Sequence, residues 1–344
     1  MNKILLPMAV AALLAGVLTA LITPLVKALA LRFNAVREVR ARDSHDAEMP
    51  LWGGLAMFIG FASVLLLLRP LLIGQEFALP VGKGEHPIAG ILIGGAIVAT
   101  IGLWDDKKDL HPFVQMGGLL LGGFVAASLG ARIDGVTNPF APPGADGVYN
   151  ANNYVELGSL SVPITMCWYF VATKTFDFLD GLDGLASGVC AIAATTMGLM
   201  AAARGEAAVA LMAFALAGAC IGFLRHNYNP ASIFMGSIGS FFLGFVLAGL
   251  AVVGTAKIPT ILAVLVPGLV LGVPIFDGFR VAIVRLLGGK NPLKADKTHI
   301  HHLLRDRGLS VKQAVWTIYG ITAACCLAAL LLMYALTKSG GAGG

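Results

Sequence analysis

Uncharged, predominantly apolar stretches recur along the chain at 4–26, 51–68, 87–104, 110–131, 157–173, 184–203, 207–224, 227–256, 258–276 and 313–337. A helix needs about 20 apolar residues to cross the hydrocarbon core of a bilayer, and every stretch is near that length. The shortest, 157–173, extends into the charged residues that follow it. At these lengths only helices satisfy their backbone groups in lipid. The pattern predicts an all-α integral membrane protein of about ten transmembrane helices. It predicts a single multi-pass domain over 1–338, a flexible tail at 339–344 and no separate soluble domain. Run 4–26 is read as the first span and not as a signal peptide, because Lys3 alone flanks it, it is long, and no small-residue cleavage site follows. The connection 132–158, with its Asn, Pro and Gly, reads as an outer-side loop or short hairpin.

Composition agrees with the pattern. Hydrophobic residues make up 57% of the 344 residues and charged residues 12%, with a mean hydropathy of +0.83. A soluble globule carries about 25% charged residues, so too little charge is present here to coat a water-facing surface. Most Lys and Arg fall in alternate connections: Arg32–Arg42, Lys107–Lys108, Lys174, Arg225 and Arg280–Lys312. Positive connections mark the cytoplasmic side, which puts both termini outside. A basic face beside anionic lipid accounts for the net charge of +5 without a nucleic-acid partner. The five cysteines all sit in apolar runs without metal-ligand spacing and read as small packing residues.

The acidic residues are scarce and gathered. Asp105, Asp106 and Asp109 follow the third run, Asp177, Asp180 and Asp183 end the fifth, Asp277 ends the ninth, and Asp296 and Asp306 lie in the loop after it. All fall on the side assigned as cytoplasmic. Carboxylates clustered at several helix mouths repel one another unless cations or hydrogen bonds compensate, which suggests a metal site. Lys174, Asp177, Asp180 and Asp183 are spaced by three, a drifting stripe on one face if the helix continues. Gly181 and Gly184 loosen it there and let backbone approach a ligand. The plain alternative is a polar helix end with a Gly-rich turn. Near the C-terminus, His299, His301 and His302 sit beside Lys294, Lys297, Arg305 and Arg307. Zinc is one reading, but neither Cys nor HExxH accompanies them. A patch for phosphate oxygens suits them better, and a solvated loop is the bland alternative.

Read in order, the segments PLWGGLA (50–56), WDDKKDL (104–110), DGLDGLA (180–186), GFLRHNYNPA (222–231), FMGSIGS (234–240), PIFD (274–277) and HIHH (299–302) resemble the polyprenyl-phosphate N-acetylhexosamine-1-phosphate transferases (glycosyltransferase family 4). The likeness runs from about residue 40 to 316, and HIHH looks closer to the undecaprenyl-phosphate N-acetylglucosaminyl-1-phosphate type than to the muramoyl-pentapeptide type.

The resemblance implies a phosphoglycosyl transferase of the EC 2.7.8 kind in the bacterial plasma membrane, with its active site on the cytoplasmic face. A polyprenyl (undecaprenyl) phosphate attacks the sugar-proximal phosphorus of a UDP-sugar, UMP leaves, and a lipid-diphosphate sugar for cell-envelope polysaccharide remains. Magnesium assists, with manganese as a substitute. The implied partners are the UDP-sugar, the lipid acceptor, membrane lipids and a second copy in a homodimer. Carried over by position, Asp105, Asp106, Asp180 and Asp183 are catalytic, and Asp105, Asp106 and Asp177 bind metal. Lys174, Asn227, Phe234, His299, His301 and His302 bind substrate, Asn227 and Phe234 near the uridine and the histidines on the donor diphosphate or sugar. Such a transfer needs charge neutralisation and alignment more than covalent help from protein.

The chain departs from the family's pattern in a balanced way. Ser237 stands where the family usually has a metal-binding Asp, and Gln115 near a position where it commonly has Lys. Lys174 and Asp177 stand where it has two Asn. One carboxylate and one cation are missing, and one of each is gained nearby, so the local charge sum is unchanged. This favours relocated ligands over loss of activity. The readings from other classes are a catalytically impaired family member acting as a binding or scaffold protein, and a secondary transporter. Charges collected at one side disfavour the transporter.

Overall fold

The computed structural model describes residues 2–37, 48–68, 86–137, 154–255, 268–287 and 299–339. Its helices are α1 (Asn2–Arg32), α2 (Gly53–Ser63, continued by a π-turn over Val64–Leu68), α3 (Pro87–Lys108), α4 (Pro112–Ser128), α5 (Ser161–Leu179) and α6 (Leu185–Ala203). They are followed by α7 (Ala207–Asn227), α8 (Gly236–Thr255), α9 (Gly272–Leu287), α10 (Ile300–Asp306) and α11 (Val311–Ser339). Among the described residues, α1, α3, α6, α7, α8 and α11 are long and apolar enough to cross a membrane, and α2 and α4 are shorter apolar helices. Run 258–276 lies mostly outside the described residues, as do Lys294, Asp296, Lys297 and the tail from 340 on.

Helices α7 and α8 form the centre. Phe241, Phe242, Phe245 and Phe223 are fully enclosed there. In lipid, apolar burial does not drive helix association, so close packing must. Small residues permit it: a β-carbon on Gly218 or Gly222 would collide with the α1 backbone at Ala12 or Gly16. On the outside, α1 presents Leu6, Leu13, Leu21 and Leu25 and α11 presents Leu327 and Leu331, the side chains a bilayer would solvate.

Two small antiparallel pairs lie at opposite ends. Strand β1 (Val36–Arg37) pairs with β2 (Met49–Pro50), and β3 (Gly135–Thr137) with β4 (Tyr154–Glu156). The second pair is the hairpin anticipated in 132–158, with its tip outside the described residues. The first matters for chemistry. Beyond β2, Phe234 N donates to Pro50 O, while Gly53 N and Gly54 N donate to Phe234 O and Met235 O, each at 2.9 Å. The segment leading into α2 is thereby stitched to the segment leading into α8.

Three local expectations change. The stripe from Lys174 to Asp183 is not one helix: α5 ends at Leu179 and α6 begins after Gly184 at φ 79°. Asp180 and Asp183 therefore lie in a turn. Asp277 does not end a helix, since α9 continues to Leu287. Its charge is accommodated by Arg280 one turn on, at 3.1 Å, so the first charge after an apolar run was not a stop. The segment after His299 is the short helix α10 and not a loop, with Asp306 as its last residue.

Candidate active site

Every acidic residue singled out within the described part lies at one end of the bundle, where α1, α3, α5 and α7 finish and α6, α8 and α11 begin. The described chain ends, in α1 and α11, lie at the other end.

Asp105 and Asp106, in the last turn of α3, face the start of α8. Asp106 accepts hydrogen bonds from Ser237 N at 2.7 Å and Ile238 N at 3.4 Å, and Asp105 Oδ2 accepts one from Ser237 Oγ at 2.6 Å. The first N–H groups of a helix have no partner within it and attract an anion. The approach requires Gly236, at φ 71°, because a β-carbon there would strike the Asp106 carboxylate.

From Asp105 a circuit of hydrogen bonds, closed through the main chain of Ser237, runs through Gln115, Lys174, Asp177 and Ser237. Gln115 Nε2 donates to Asp105 Oδ1 at 2.7 Å, and Lys174 Nζ donates to Gln115 Oε1 at 3.2 Å and to Asp177 Oδ2 at 2.6 Å. Ser240 Oγ donates to Asp177 Oδ1 at 2.8 Å and approaches Ser237 O at 3.4 Å. Ser237 returns the circuit to Asp105. The Lys174 ammonium lies over the Phe178 and Phe241 rings, 5.4 and 5.0 Å from their centres, an arrangement that favours a cation.

Asp177 links the two acidic pairs electrostatically: its charge acts on Asp106 and on Asp180, which also feels Asp183. Asp183 accepts from Asn229 Nδ2 at 2.8 Å and Ala231 N at 3.0 Å. The Asp180 carboxylate accepts no hydrogen bond from any described residue. Burial pushes its pKa up to about 7, against the lowering pull of Arg37 and with a further push from Asp177 and Asp183. Asp105, Asp106, Asp177 and Asp183 are thus held by protein donors among the described residues, and Asp180 is not. Among the described residues, no group of three His, Cys, Asp or Glu side chains is close enough together to hold a metal ion by itself. Carboxylate oxygens without thiolate suit a hard cation that keeps waters and substrate phosphates in its shell.

Asn227 is buried. Its Oδ1 accepts from Gly184 N at 3.0 Å and its Nδ2 donates to Ile233 O at 3.0 Å, so it ties the turn before α6 to the turn before α8. Phe234 is half-buried and lies 5.9 Å from the Arg37 guanidinium. His299 Nδ1 pairs with Asp277 at 2.8 Å, Ile300 N donates to Asp277 at 2.9 Å, and the His299 ring lies 5.4 Å from that of Phe178. His301 stacks parallel to His299, with 5.8 Å between ring centres, and lies 4.3 Å from His302. Burial and the neighbouring imidazoles press the His301 pKa down to about 3, so its ring is neutral. The histidine motif therefore joins the end of α5 through Phe178. Arg305 and Arg307 lie at the far end of α10.

Four contributors carried no assignment from sequence: Gln115, Ser240, Arg37 and Asp277. The PIFD segment marked Asp277 without a role, and Ser240 sits one helical turn after Ser237. Nothing in the sequence distinguishes Arg37 from its basic neighbours. Along the face of α3 that carries Thr100, Leu103, Trp104 and Lys107, an apolar groove of about 460 Å³ is completed by Phe33 and Trp52, with Phe33 and Trp104 exposed.

Residues 88–255 match the family described as glycosyl transferase family 4. The chain is 34% identical over 328 residues to a probable undecaprenyl-phosphate N-acetylglucosaminyl 1-phosphate transferase of Bacillus subtilis, covering 94% of this chain and 84% of that protein. It is 32% identical over 332 residues to a decaprenyl-phosphate N-acetylglucosaminephosphotransferase of Mycolicibacterium smegmatis, covering 91% and 79%. A phospho-N-acetylmuramoyl-pentapeptide-transferase of Clostridium beijerinckii is 28% identical over 332 residues, covering 95% of each.

Proposed function

The chain belongs to glycosyl transferase family 4, and from that membership we propose that it transfers N-acetylglucosamine-1-phosphate from UDP-N-acetylglucosamine to a polyprenyl phosphate for cell-envelope polysaccharide. A phosphate oxygen of the lipid forms a bond to the sugar-proximal phosphorus. The bond from that phosphorus to the oxygen bridging the two phosphates breaks, and UMP leaves with that oxygen and its electron pair. The acceptor monoester can act as a dianion, so the step needs no covalent enzyme intermediate.

The observation that carries this reading is the hydrogen-bonded path from Asp105 through Gln115 and Lys174 to Asp177, three residues before Asp180, at one mouth of the bundle. Asp105, Asp106 and Asp177 would hold a magnesium ion, which manganese could replace, with substrate phosphates and waters supplying the rest of its shell, and Asp180 and Asp183 would shape the nucleotide side. When bound, the ion neutralises phosphate charge. Asp105 and Asp106, held by the start of α8, present fixed oxygens to the acceptor end. Asn227 and Phe234 border the uridine, Asn227 by fixing two turns. His299, His301 and His302 face the donor diphosphate or sugar. Because the Lys174 ammonium is committed to Asp177 and Gln115, we assign its positive charge to the balance of the pocket and not to one phosphate oxygen.

A membrane-borne acceptor is supported by the apolar groove on the last turns of α3, the helix that also carries Asp105 and Asp106. The reading sets this mouth on the cytoplasmic face of the bacterial plasma membrane, with about ten spans in one domain, both termini outside and a homodimer as the assembly. The alternative, an impaired scaffold protein, is disfavoured because the four departing residues join into one satisfied network. Purified protein given radiolabelled UDP-N-acetylglucosamine and undecaprenyl phosphate should yield labelled lipid and UMP with magnesium and not with EDTA. No labelled lipid at any metal concentration would overturn the assignment.

A further inference from the structure

We infer that Gln115 and Lys174 act as a single positioning unit that sets the orientation of Asp105, with Gln115 transmitting to Asp105 the charge that Lys174 cannot bring there itself. The inference rests on the transferase reading for its activity test, and it assigns Gln115 a role.

A glutamine amide has a donor end and an acceptor end, and its neighbours decide which way it points. Lysine is a donor only, so Gln115 must turn its oxygen to Lys174, at 3.2 Å. Its NH2 then faces Asp105 Oδ1 at 2.7 Å, and the second hydrogen of that group serves Leu110 O at 3.2 Å. The same Asp105 oxygen also accepts from Leu110 N at 3.0 Å. The reverse orientation would set NH2 against an ammonium and oxygen against a carboxylate and a carbonyl. At the other end the ammonium is fixed by Asp177 and the two phenyl faces. Rotating the Asp105 carboxylate therefore breaks bonds to Gln115 and Ser237 together. A polarised amide between a cation and a carboxylate strengthens both of its hydrogen bonds.

The chemistry of the pair has a consequence that mere packing lacks. With the two side chains exchanged, a lysine at 115 donates to Asp105 and to the oxygen of a glutamine at 174, whose NH2 donates to Asp177. Every donor and acceptor between the two carboxylates is again matched, with the cation at the other end. Each single exchange fails, one by setting two ammonium groups together and the other by leaving two carboxylates without a cation.

The test compares wild type, Gln115→Lys, Lys174→Gln and the double exchange, purified in detergent, by steady-state transfer with both substrates varied. Each single is expected to lose about tenfold or more in kcat with KM for donor and acceptor nearly unchanged, and the double to exceed either single by about tenfold. A double variant equal to the product of the singles overturns the unit. So does a Lys174→Gln whose whole loss lies in donor KM, the mark of a direct phosphate contact. If the exchanged protein does not fold, Lys174→Arg and Lys174→Met decide: Arg can serve both partners and should retain kcat where Met loses it, and equal losses overturn the inference. If wild type transfers nothing, the transferase reading is what fails. The coupling is then read from thermal unfolding of the same four proteins, where additive shifts overturn the unit and a stabilised double supports it.

Discussion

The imidazole of His301 rests on the α-carbon of Gly181, so closely that a β-carbon at 181 would overlap the ring. The two residues come from segments far apart in sequence, the turn after α5 and the helix α10, and no described residue partners the His301 Nδ1. The contact docks the histidine motif against the acidic turn. It gives the glycine in Asp180-Gly181 a physical reason, which is room for a ring.

Gly181→Ala should therefore push α10 off the turn while leaving the spans intact. Overpacking of this kind costs about 1–3 kcal/mol, and the expected outcome is lower thermal stability with a loss of transfer. Removing the ring in Gly181→Ala/His301→Ala should return part of the stability. Thermal unfolding of the singles and the double checks this, and a double no more stable than Gly181→Ala would count against the contact.

Asp277 holds His299 from the other side, taking His299 Nδ1, Ile300 N and Arg280 on its two oxygens. Both Asp277 and His299 are buried. Asp277→Asn keeps the shape but can no longer accept on both oxygens. Leaving one buried group unsatisfied costs about 1–3 kcal/mol. Expressed at the transition state this is about 5- to 150-fold in kcat. Donor KM and kcat measured on this variant check it, and unchanged values would remove His299 from the site.

Asp180 predicts a pH effect on the metal-free protein. Its folded pKa of about 7 lies above the ordinary carboxylate value, so between about pH 4 and 7 the folded state holds the proton that the unfolded state has released. Stability then falls as pH rises through that window, and the penalty is complete above the folded pKa. Asp180→Asn removes it: thermal unfolding in EDTA should show the variant more stable than wild type at pH 8 and level with it near pH 4.

Much of this was legible in the sequence because the forces are local or periodic. The apolar runs within the described residues read directly as helices, since lipid leaves the backbone no other choice. The carboxylates read as a site because charge at helix mouths needs an explanation. Asp277 was assigned to a helix end because a charge after an apolar run looks like a boundary, whereas Arg280 one turn on lets the helix continue. The break after Leu179 was hidden because a spacing of three is equally a helical stripe and a turn, and only packing decides. Gln115 stood out in the sequence only as a missing cation and Ser240 not at all, and the fold alone set them between Asp105 and Asp177.

The proposed relocation of a carboxylate ligand from position 237 to Asp177 can be tested directly. Ser237 and Asp177 are joined through Ser240, so a carboxylate at either position can serve the same pocket. If Asp177 does the work that the family usually gives to an Asp at 237, Asp177→Asn should raise the magnesium concentration needed for half-maximal transfer and lower kcat by about 10²-fold or more. Adding Ser237→Asp to that variant should recover part of both, because it restores the charge on the far side of Ser240. Ser237→Asp alone should not improve on wild type, since it crowds a third carboxylate against Asp105 and Asp106. Metal titration followed by calorimetry separates binding from turnover. A tight magnesium affinity unchanged in Asp177→Asn, together with unchanged metal-dependent turnover, would mean that Asp177 serves only to pair Lys174, and that the ion is held without it.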